Sequence, residues 1–218
     1  MKAPPLSTLS AVRPMHPDHP ATHPVERLNE ASFVALALTN PVNAELLQRL
    51  GGLGLPQCHL TAGCLFQDVW NRQAGRAPGW SVNDHDVFYF DGDDLSWEAE
   101  DRVIQAVQAL TADLGVKVEV KNQARVHLWY RDRFQADYPQ LTRTTDGIDR
   151  YLVACTCVGI DVRTRALYAP HGLDELQRGV LRMNPRFAQP AMFRDKARSY
   201  QQRWPWLSVV PAEEDERP

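Results

Sequence analysis

The sequence has 218 residues, of which 44% are hydrophobic and 23% charged, so it is long and apolar enough to bury the core of one ordinary domain. Its 24 basic and 27 acidic residues give a net charge of −3, which excludes a strong overall field toward nucleic acid or membranes but not a local basic patch. No apolar stretch approaches the roughly 18 residues of a membrane-spanning helix, and no apolar leader is visible. The 4 cysteines form neither a dense disulfide framework nor a CxxC zinc motif, so we expect a reduced, cytoplasmic protein without a membrane partner.

Two terminal segments differ in composition from the chain between them. Residues 1–24 contain six of the 16 prolines, which remove backbone donors and block helices, so we expect a disordered Pro/His-rich arm there. Residues 208–218 are rich in acids and are expected to form a frayed tail. The folded domain is therefore predicted over residues 25–207, with a core at about 56–130 and a C-terminal extension at about 140–207.

Helical and strand periodicities alternate through this domain. Asn40 is expected to cap a helix that has Pro41 in its first turn, where a missing backbone donor costs nothing, and the glycines at 51 and 52 should end it. Residues 116–121 alternate apolar and polar side chains, as a strand with one polar face does. In chain order, we predict helices at 26–39 and 41–50, a strand at 57–62, a helix at 63–72, a strand at 87–90, a helix at 96–114, a strand at 116–121 and a helix from 122.

The C-terminal part is predicted to hold a β-hairpin and two helices. Residues 148–160 end in a strand that should pair with 165–169, and helices are predicted at 172–178 and 191–204. The strands are few and short, which disfavours a long parallel, doubly wound sheet. We therefore predict an α+β (mixed α/β) fold, in which a small mixed sheet is flanked by helices and followed by a C-terminal hairpin and a helical extension.

The most informative segment is a pair of acids at the start of the strand at 87–90. Asp84 and Asp86 are separated by one residue, so their side chains should share a sheet face, with Cα atoms roughly 6.6 Å apart. Two carboxylates held so closely repel each other unless a cation lies between them, and hard oxygen ligands favour Mg2+, or Mn2+ in its place. Glu119, on the polar face of the next strand, is the best-placed third acid for a two-metal site. The alternative is that Asp84 caps a turn and Asp86 is a solvated strand end.

A second feature lies where the strand at 57–62 ends. Gly63 follows this strand and begins a helix, so a phosphate can approach the backbone, and the free N–H groups at the helix start favour an anion. A single glycine also fits a plain strand-to-helix turn. The order of features, with a glycine after one strand, a DxD pair on the next and an acid on a third, makes the phosphate-binding interpretation more specific.

Several sequence blocks accompany this order of features. Together they resemble the nucleotidyltransferase core of the DNA polymerase β superfamily and, more closely, a family of bacterial nucleotidyltransferase-like proteins, over about residues 30–207. The wider superfamily usually has serine after the motif glycine, whereas this chain has Cys64, whose thiol is a weaker hydrogen-bond partner for phosphate. The blocks are Ala62-Gly63 with Val69-Trp70-Asn71, Asp84-His85-Asp86-Val87 with Tyr89-Phe90-Asp91, VKNQARVH at 120–127, and APHGLDEL at 169–176.

The resemblance implies a Mg2+-dependent nucleotidyltransferase. Asp84 and Asp86 would bind the metal, and Glu119 would be a third ligand or the base that activates an acceptor hydroxyl. That hydroxyl would attack the α-phosphorus of a nucleoside triphosphate, with release of pyrophosphate. The acceptor stays open between a small molecule, a protein hydroxyl and an RNA end. The implied nucleotide-binding residues are Gly63, Cys64, Lys121, Asn122 and Arg125.

Other interpretations stay open for parts of this set. Asn122 is also a good helix cap, Arg125 also fits a surface arginine, and Glu119 on a lysine-flanked strand also fits a simple salt bridge. His85 is expected to point to the sheet face opposite the two acids and to be structural. Two rival functions are a nucleotide-binding module without catalysis and a protein-interaction module that uses the arm and the basic helix predicted at 191–204.

Overall fold

The computed structural model of the protein describes residues 27–211. The Pro/His-rich arm predicted for residues 1–24 lies outside the described residues, as do the acidic residues from 212 onward. Along the described chain, no helix combines the length and the apolar character needed to cross a membrane.

Helices and strands follow one another in the predicted order through the first half of the domain. The helices are α1 (Glu30–Ala37), α2 (Pro41–Leu50), α3 (Gly63–Gln73), α4 (Trp97–Thr111), α5 (Val126–Phe134), α6 (Thr144–Ile148), α7 (Asp174–Arg178) and α8 (Pro190–Arg203). The strands are β1 (His59–Thr61), β2 (His85–Tyr89), β3 (Val118–Asn122), β4 (Gly159–Asp161), β5 (Leu167–Tyr168), β6 (Val180–Leu181) and β7 (Ser208–Val209).

The helix ends follow from local capping chemistry. The side chain of Asn40 accepts a hydrogen bond from the Val42 N–H at 3.0 Å, and Pro41 occupies the first turn of α2, as predicted. Ser96 caps α4 in the same way. Gly115, at a φ of 65°, follows the last helical turn after α4, in the left-handed conformation that glycine adopts without strain.

Five strands form one mixed sheet in the order β3-β2-β1-β4-β5. β2 and β3 are parallel, whereas β1 is antiparallel to both β2 and β4, and β4 is antiparallel to β5. The predicted C-terminal hairpin is therefore present as β4–β5. It joins the sheet beside β1, so the predicted core and the predicted extension share one sheet.

The two faces of this sheet differ in polarity. On β2, His85, Val87 and Tyr89 are buried on one face, whereas Asp86 and Phe88 on the other are partly exposed. The buried face packs against helices in a single apolar core, and the partly exposed face is left for polar side chains. Core residues from the strands and helices include Phe33, Leu46, Leu60, Trp70, Val87, Val107, Val120 and Ile160.

An aromatic cluster holds α8 against α3. The ring centroid of Trp70 lies 5.2 Å from those of Tyr200 and Trp204, in edge-to-face contacts. The indole N–H of Trp204 donates to the side-chain oxygen of Asn71 at 3.1 Å. These buried contacts fix the C-terminal half of α8 beside α3 and so place the rest of α8 next to the polar face of the sheet.

The predicted tail begins later than expected. Ser208 and Val209 form β7, which pairs in parallel with β6 through Val180 and Leu181. The expectation that the tail frays from residue 208 is therefore wrong for its first residues. Two-residue strands carry no detectable periodicity, so the sequence offered no signal for this pair.

Candidate functional site

A cavity of about 310 Å3 opens on the polar face of the sheet, beside the first turn of α3 and the inner side of α8. Its volume is at the lower end of the roughly 300–1,000 Å3 that is typical of small-molecule sites. The walls combine acids, a glycine, aromatic rings and cations, among them Gly63, Gln67, Asp84, Asp86, Tyr151 and Lys196.

Asp84 and Asp86 both line this cavity. Asp86 lies within β2, where its neighbours in register are Thr61 on β1 and Glu119 on β3. Burial, together with the negative charges of Asp84 and Glu119, raises the pKa of Asp86 to about 7. His85 between them is buried on the opposite face. The acid pair is therefore a concentration of negative charge that its surroundings compensate only in part.

The N-terminus of α3 faces the same cavity through Gly63. No side chain caps this helix, so none competes for the N–H groups of its first turn. Ala62, just before the helix, has a φ of 66°, in the left-handed region that residues with a Cβ rarely adopt. A side chain at position 63 would collide with the amide group of Gln67, so glycine keeps Gln67 against the cavity wall. An anion can approach this helix start.

Cys64 lies next to Gly63, but its side chain points into the core. The thiol is fully buried and donates to the carbonyl oxygen of Thr61 at 3.2 Å. Burial raises the pKa of this thiol well above its usual value, so the thiol stays protonated. The structure therefore brings the backbone of this turn to the cavity, but not the Cys64 side chain.

Glu119 is adjacent to Asp86 in the sheet, but its carboxylate is engaged elsewhere. It forms an ion pair with Lys117, whose hydrogen bond lowers the pKa of Glu119. Within residues 27–211, no three side chains of His, Cys, Asp and Glu lie close enough together to hold a metal ion. Glu119 would join the two aspartates only after leaving Lys117. Because the Lys117 side chain is 65% exposed, breaking this pair costs little.

Two of the predicted nucleotide-binding residues, Lys121 and Asn122, are consecutive on β3. They lie on opposite faces of this strand, because side chains alternate along a strand. Lys121 shares the face of Glu119, and its charge acts on Asp86. Asn122 is buried on the other face, where its side chain accepts hydrogen bonds from the N–H groups of Asp91 and Ala124. Asn122 therefore has the capping role that the sequence left open, and it is not brought to the cavity.

Arg125 is likewise placed away from the cavity. Its guanidinium forms a buried ion pair with Glu100 of α4 and donates to the carbonyl oxygen of Leu95 at 2.8 Å. Both side chains of the pair are more than nine-tenths buried, so Arg125 is neither a surface arginine nor free to bind phosphate. The block resemblance gave no indication of this partner, because Glu100 is 25 residues earlier in the chain.

Cationic side chains of α8, the helix that the sequence predicted to be basic, lie at and beside the cavity. Lys196 lines it, and Arg203 donates to the side-chain oxygen of Gln67 at 3.3 Å. Burial lowers the pKa of Lys196, and the charge of Arg203 adds to this effect. Lys196, Tyr200 and Arg203 are spaced by four and three residues, so they share one face of the helix. This spacing is the feature of the sequence that indicates their common position.

The residues present fit a hard divalent cation. Carboxylate oxygens are preferred ligands of Mg2+, which commonly takes its remaining ligands from water and substrate phosphates. The pKa of about 7 at Asp86 is raised although Lys196 and Lys121 act to lower it, so an additional positive charge would be favourable here. Asp84 and Asp86 could therefore hold Mg2+.

The affinity for Mg2+ is expected to depend on pH below neutrality. A proton competes with the metal for Asp86, so affinity should rise about tenfold per pH unit up to about pH 7 and then level off. Since the folded-state pKa is raised, protonated Asp86 favours folding at low pH, and this contribution is lost as the pH rises through about 7. Metal-free protein should lose that stability between about pH 4, near the ordinary pKa of an aspartate, and about pH 7, and Mg2+ should restore it. Calorimetric Mg2+ titrations on both sides of about pH 7 test the expectation, and equal affinity at about pH 5.5 and about pH 7.5 would contradict it.

Comparisons with known proteins bear on the family and the fold of the chain. A family model described as "Nucleotidyltransferase" matches residues 48–209, a range that includes all the cavity residues named above. A solved structure, described as an NMR structure that reveals a CCA-adding enzyme head domain, is 23% identical in sequence. It superposes with a TM-score of 0.65 and covers 84% of this chain and 97% of that one, which confirms the predicted fold. No curated protein is similar enough in sequence to count as a match.

Proposed function

The chain belongs to the nucleotidyltransferase family, and from this premise we propose that it transfers a nucleoside monophosphate from a nucleoside triphosphate to an acceptor hydroxyl in a Mg2+-dependent reaction. The hydroxyl oxygen forms a bond to the α-phosphorus, the bond from that phosphorus to the bridging oxygen breaks, and pyrophosphate leaves with the electron pair. We place the reaction in the cytoplasm, because all four cysteines are buried and unpaired.

One observation carries this proposal: the acid pair and an uncapped helix N-terminus line the same cavity. Asp84 and Asp86 offer oxygen ligands for a cation, and the start of α3 at Gly63 favours an anion. A metal–triphosphate complex carries both charges. A cavity that only needed to be polar would not require these two opposite features side by side.

Cationic side chains support binding of the triphosphate. Lys196 of α8 lines the cavity, and Arg203 of the same helix donates to the side-chain oxygen of Gln67, which also lines it. Both would neutralise charge on the leaving pyrophosphate, which is the main contribution that a protein makes to phosphoryl-type transfers. Mg2+ (or Mn2+), held by Asp84 and Asp86, would supply further neutralisation of the phosphate oxygens.

Glu119 would act on the acceptor, on the β3 side of the acid pair and opposite the start of α3. Its carboxylate could accept a hydrogen bond from an acceptor hydroxyl once the ion pair with Lys117, which lowers its pKa, has opened. After leaving Lys117, it would either take the proton of that hydroxyl or act as a third ligand beside Asp86. The proton then passes to solvent, because the Glu119 side chain is 33% exposed.

Thermal denaturation tests the proposal. We expect each preferred nucleoside triphosphate to raise the melting temperature only when Mg2+ is present, and a ligand at 100 times its Kd adds about 2.7 kcal/mol to the free energy of unfolding. A shift without release of pyrophosphate would favour the non-catalytic nucleotide-binding module. If none of the four common ribonucleoside triphosphates shifts the melting temperature, the result would contradict the proposal and favour a protein-interaction role.

A further inference from the structure

A second cavity adjoins the first, and we propose that it binds the end of the acceptor. It is a subsite for a planar ring with a negative charge nearby. A terminal nucleotide has this chemistry. The inference rests on the proposed function and adds the class of acceptor to it. This cavity of about 160 Å3 is lined by aromatic rings and two cations, among them Phe88, Lys121, Trp129, Tyr130, Tyr138 and Arg150.

The second cavity continues the sheet face that bears the acids. Phe88 on β2 is paired in register with Lys121 on β3, as Asp86 is with Glu119. Each member of the first pair lies two residues after the corresponding member of the second. Residues two positions apart on a strand face the same side and are roughly 6.6 Å apart. The ring subsite therefore begins one side chain away from the carboxylates.

Its position matches the side from which the acceptor must approach. In a direct displacement, the attacking oxygen and the leaving group lie on opposite sides of the phosphorus. In the sheet, β2 with its acids lies between β1, which leads to Gly63, and β3, which carries Glu119 and Lys121. If pyrophosphate departs on the Gly63 side, the acceptor enters from the β3 side, where the second cavity lies.

The walls of the second cavity suit a flat ring. The ring centroids of Tyr130 and Tyr138 are 4.3 Å apart, and Phe187 lies 6.3 Å from Tyr138. A nucleobase stacks on such surfaces whatever its sequence identity. The volume of about 160 Å3 is well below the roughly 300 Å3 of a site for a whole ligand, so the cavity fits one ring of a larger molecule.

The charges of the second cavity select an anion. Arg150 stacks over Tyr138 at 4.9 Å, and Lys121 also lines the cavity. Within residues 27–211, neither cation forms an ion pair with a carboxylate, and no acid lines this cavity. A polycationic acceptor of the aminoglycoside type would be repelled here, whereas a nucleotide phosphate would be attracted.

The two cavities share a wall. Tyr130, Arg150 and Phe187 line both and Asp86 lines the first, so a ligand that reaches past these side chains from the second cavity would bring a hydroxyl toward Asp86. This shared wall is what a subsite for the reacting end of an acceptor requires, and a separate regulatory pocket would not need it.

Equilibrium binding in EDTA tests the inference, because the metal–triphosphate site cannot form without a divalent cation. The probes are a nucleoside 5′-monophosphate and a trinucleotide of RNA, which separate a free nucleotide from an RNA end. We expect at least one to bind wild type, and Tyr138→Leu to weaken that binding about 5- to 150-fold, as the loss of one base stack does. Trp97→Leu, which removes an exposed tryptophan outside both cavities, is the matched control and should bind like wild type.

The double variant Asp84→Asn with Asp86→Asn separates this inference from the proposed function. It should lose the Mg2+-dependent shift with triphosphate but retain probe binding in EDTA. Equal probe binding by wild type and Tyr138→Leu, or binding of neither probe by wild type, overturns the inference even if the triphosphate shift is present. Absence of the triphosphate shift in wild type, with probe binding retained, would instead contradict the proposed function and the acceptor role that rests on it, while leaving the nucleotide subsite itself in place.

Discussion

Replacing both cavity aspartates, in Asp84→Asn with Asp86→Asn, is expected to abolish Mg2+-dependent stabilisation by nucleoside triphosphate while the protein stays folded. The amides keep the size of the carboxylates but remove the negative charges that would hold the metal. At a ligand concentration of 100 times the wild-type Kd, the lost stabilisation is about 2.7 kcal/mol. Melting curves with triphosphate, with and without Mg2+, measure it.

The same variant should be more stable than wild type in EDTA above pH 7. Wild type then holds an ionised Asp86 in a site that raises its pKa to about 7, whereas the amide carries no charge. Asp93→Asn is the control, because Asp93 is exposed and does not line the cavity. A double variant that keeps the full metal-dependent shift would show that the metal–triphosphate complex binds elsewhere.

Removing Arg125 is expected to destabilise the fold by about 3–5 kcal/mol, because it leaves the buried carboxylate of Glu100 without its partner. Glu100 also accepts a hydrogen bond from the N–H of Asn122 at 2.7 Å, so the loss would reach the end of β3. Urea denaturation of Arg125→Leu measures the effect. Arg131→Leu breaks an ion pair with Asp137 whose side chains are 79% and 88% exposed, and it should cost less than about 1 kcal/mol.

The Arg125→Leu variant also decides between two roles for Arg125, which are binding of nucleotide and stabilisation of the fold. A protein with unchanged stability but much weaker triphosphate binding would return Arg125 to the nucleotide site that the family resemblance implies. A strongly destabilised protein would place its role in the attachment of α4 to the end of β3.

The local features of the fold were the predictable ones. Asn40 with Pro41, and Gly115 after α4, are capping signals that act over a few residues, so sequence alone located those helix ends. The acid pair was equally readable, because a separation of two residues fixes a shared sheet face whatever the rest of the chain does. This is why Asp84 and Asp86 line one cavity as expected.

What sequence reasoning missed depends on contacts between distant segments. Arg125 is paired with Glu100, and Lys196 reaches the acids only because aromatic contacts hold α8 on α3. Asn122 could have been separated from Lys121 by the alternation of side chains along a strand, which places consecutive residues on opposite faces. The ion pair of Glu119 with Lys117 is the alternative that the lysine-flanked strand had left open, since Lys117 lies two residues earlier on the same face.

The surroundings of Cys64 show what this side chain does in place of the serine that is usual in the wider superfamily. A hydroxyl at this position would usually face phosphate in the wider superfamily that the sequence resembles, whereas this thiol is directed to the carbonyl of Thr61 and is fully buried. Gln67 and Lys196 line the cavity, and under the proposed function they would make the polar contacts with phosphate instead.

The products released from each nucleoside triphosphate test the central claim most directly. Attack at the α-phosphorus releases pyrophosphate, whereas attack at the γ-phosphorus releases orthophosphate, and water can replace a missing acceptor in a long incubation. We predict pyrophosphate from wild type with Mg2+, and none from the protein in EDTA or from Asp84→Asn with Asp86→Asn. Bound triphosphate that yields no pyrophosphate, or equal release by wild type and the double variant, would contradict nucleotidyl transfer at this site.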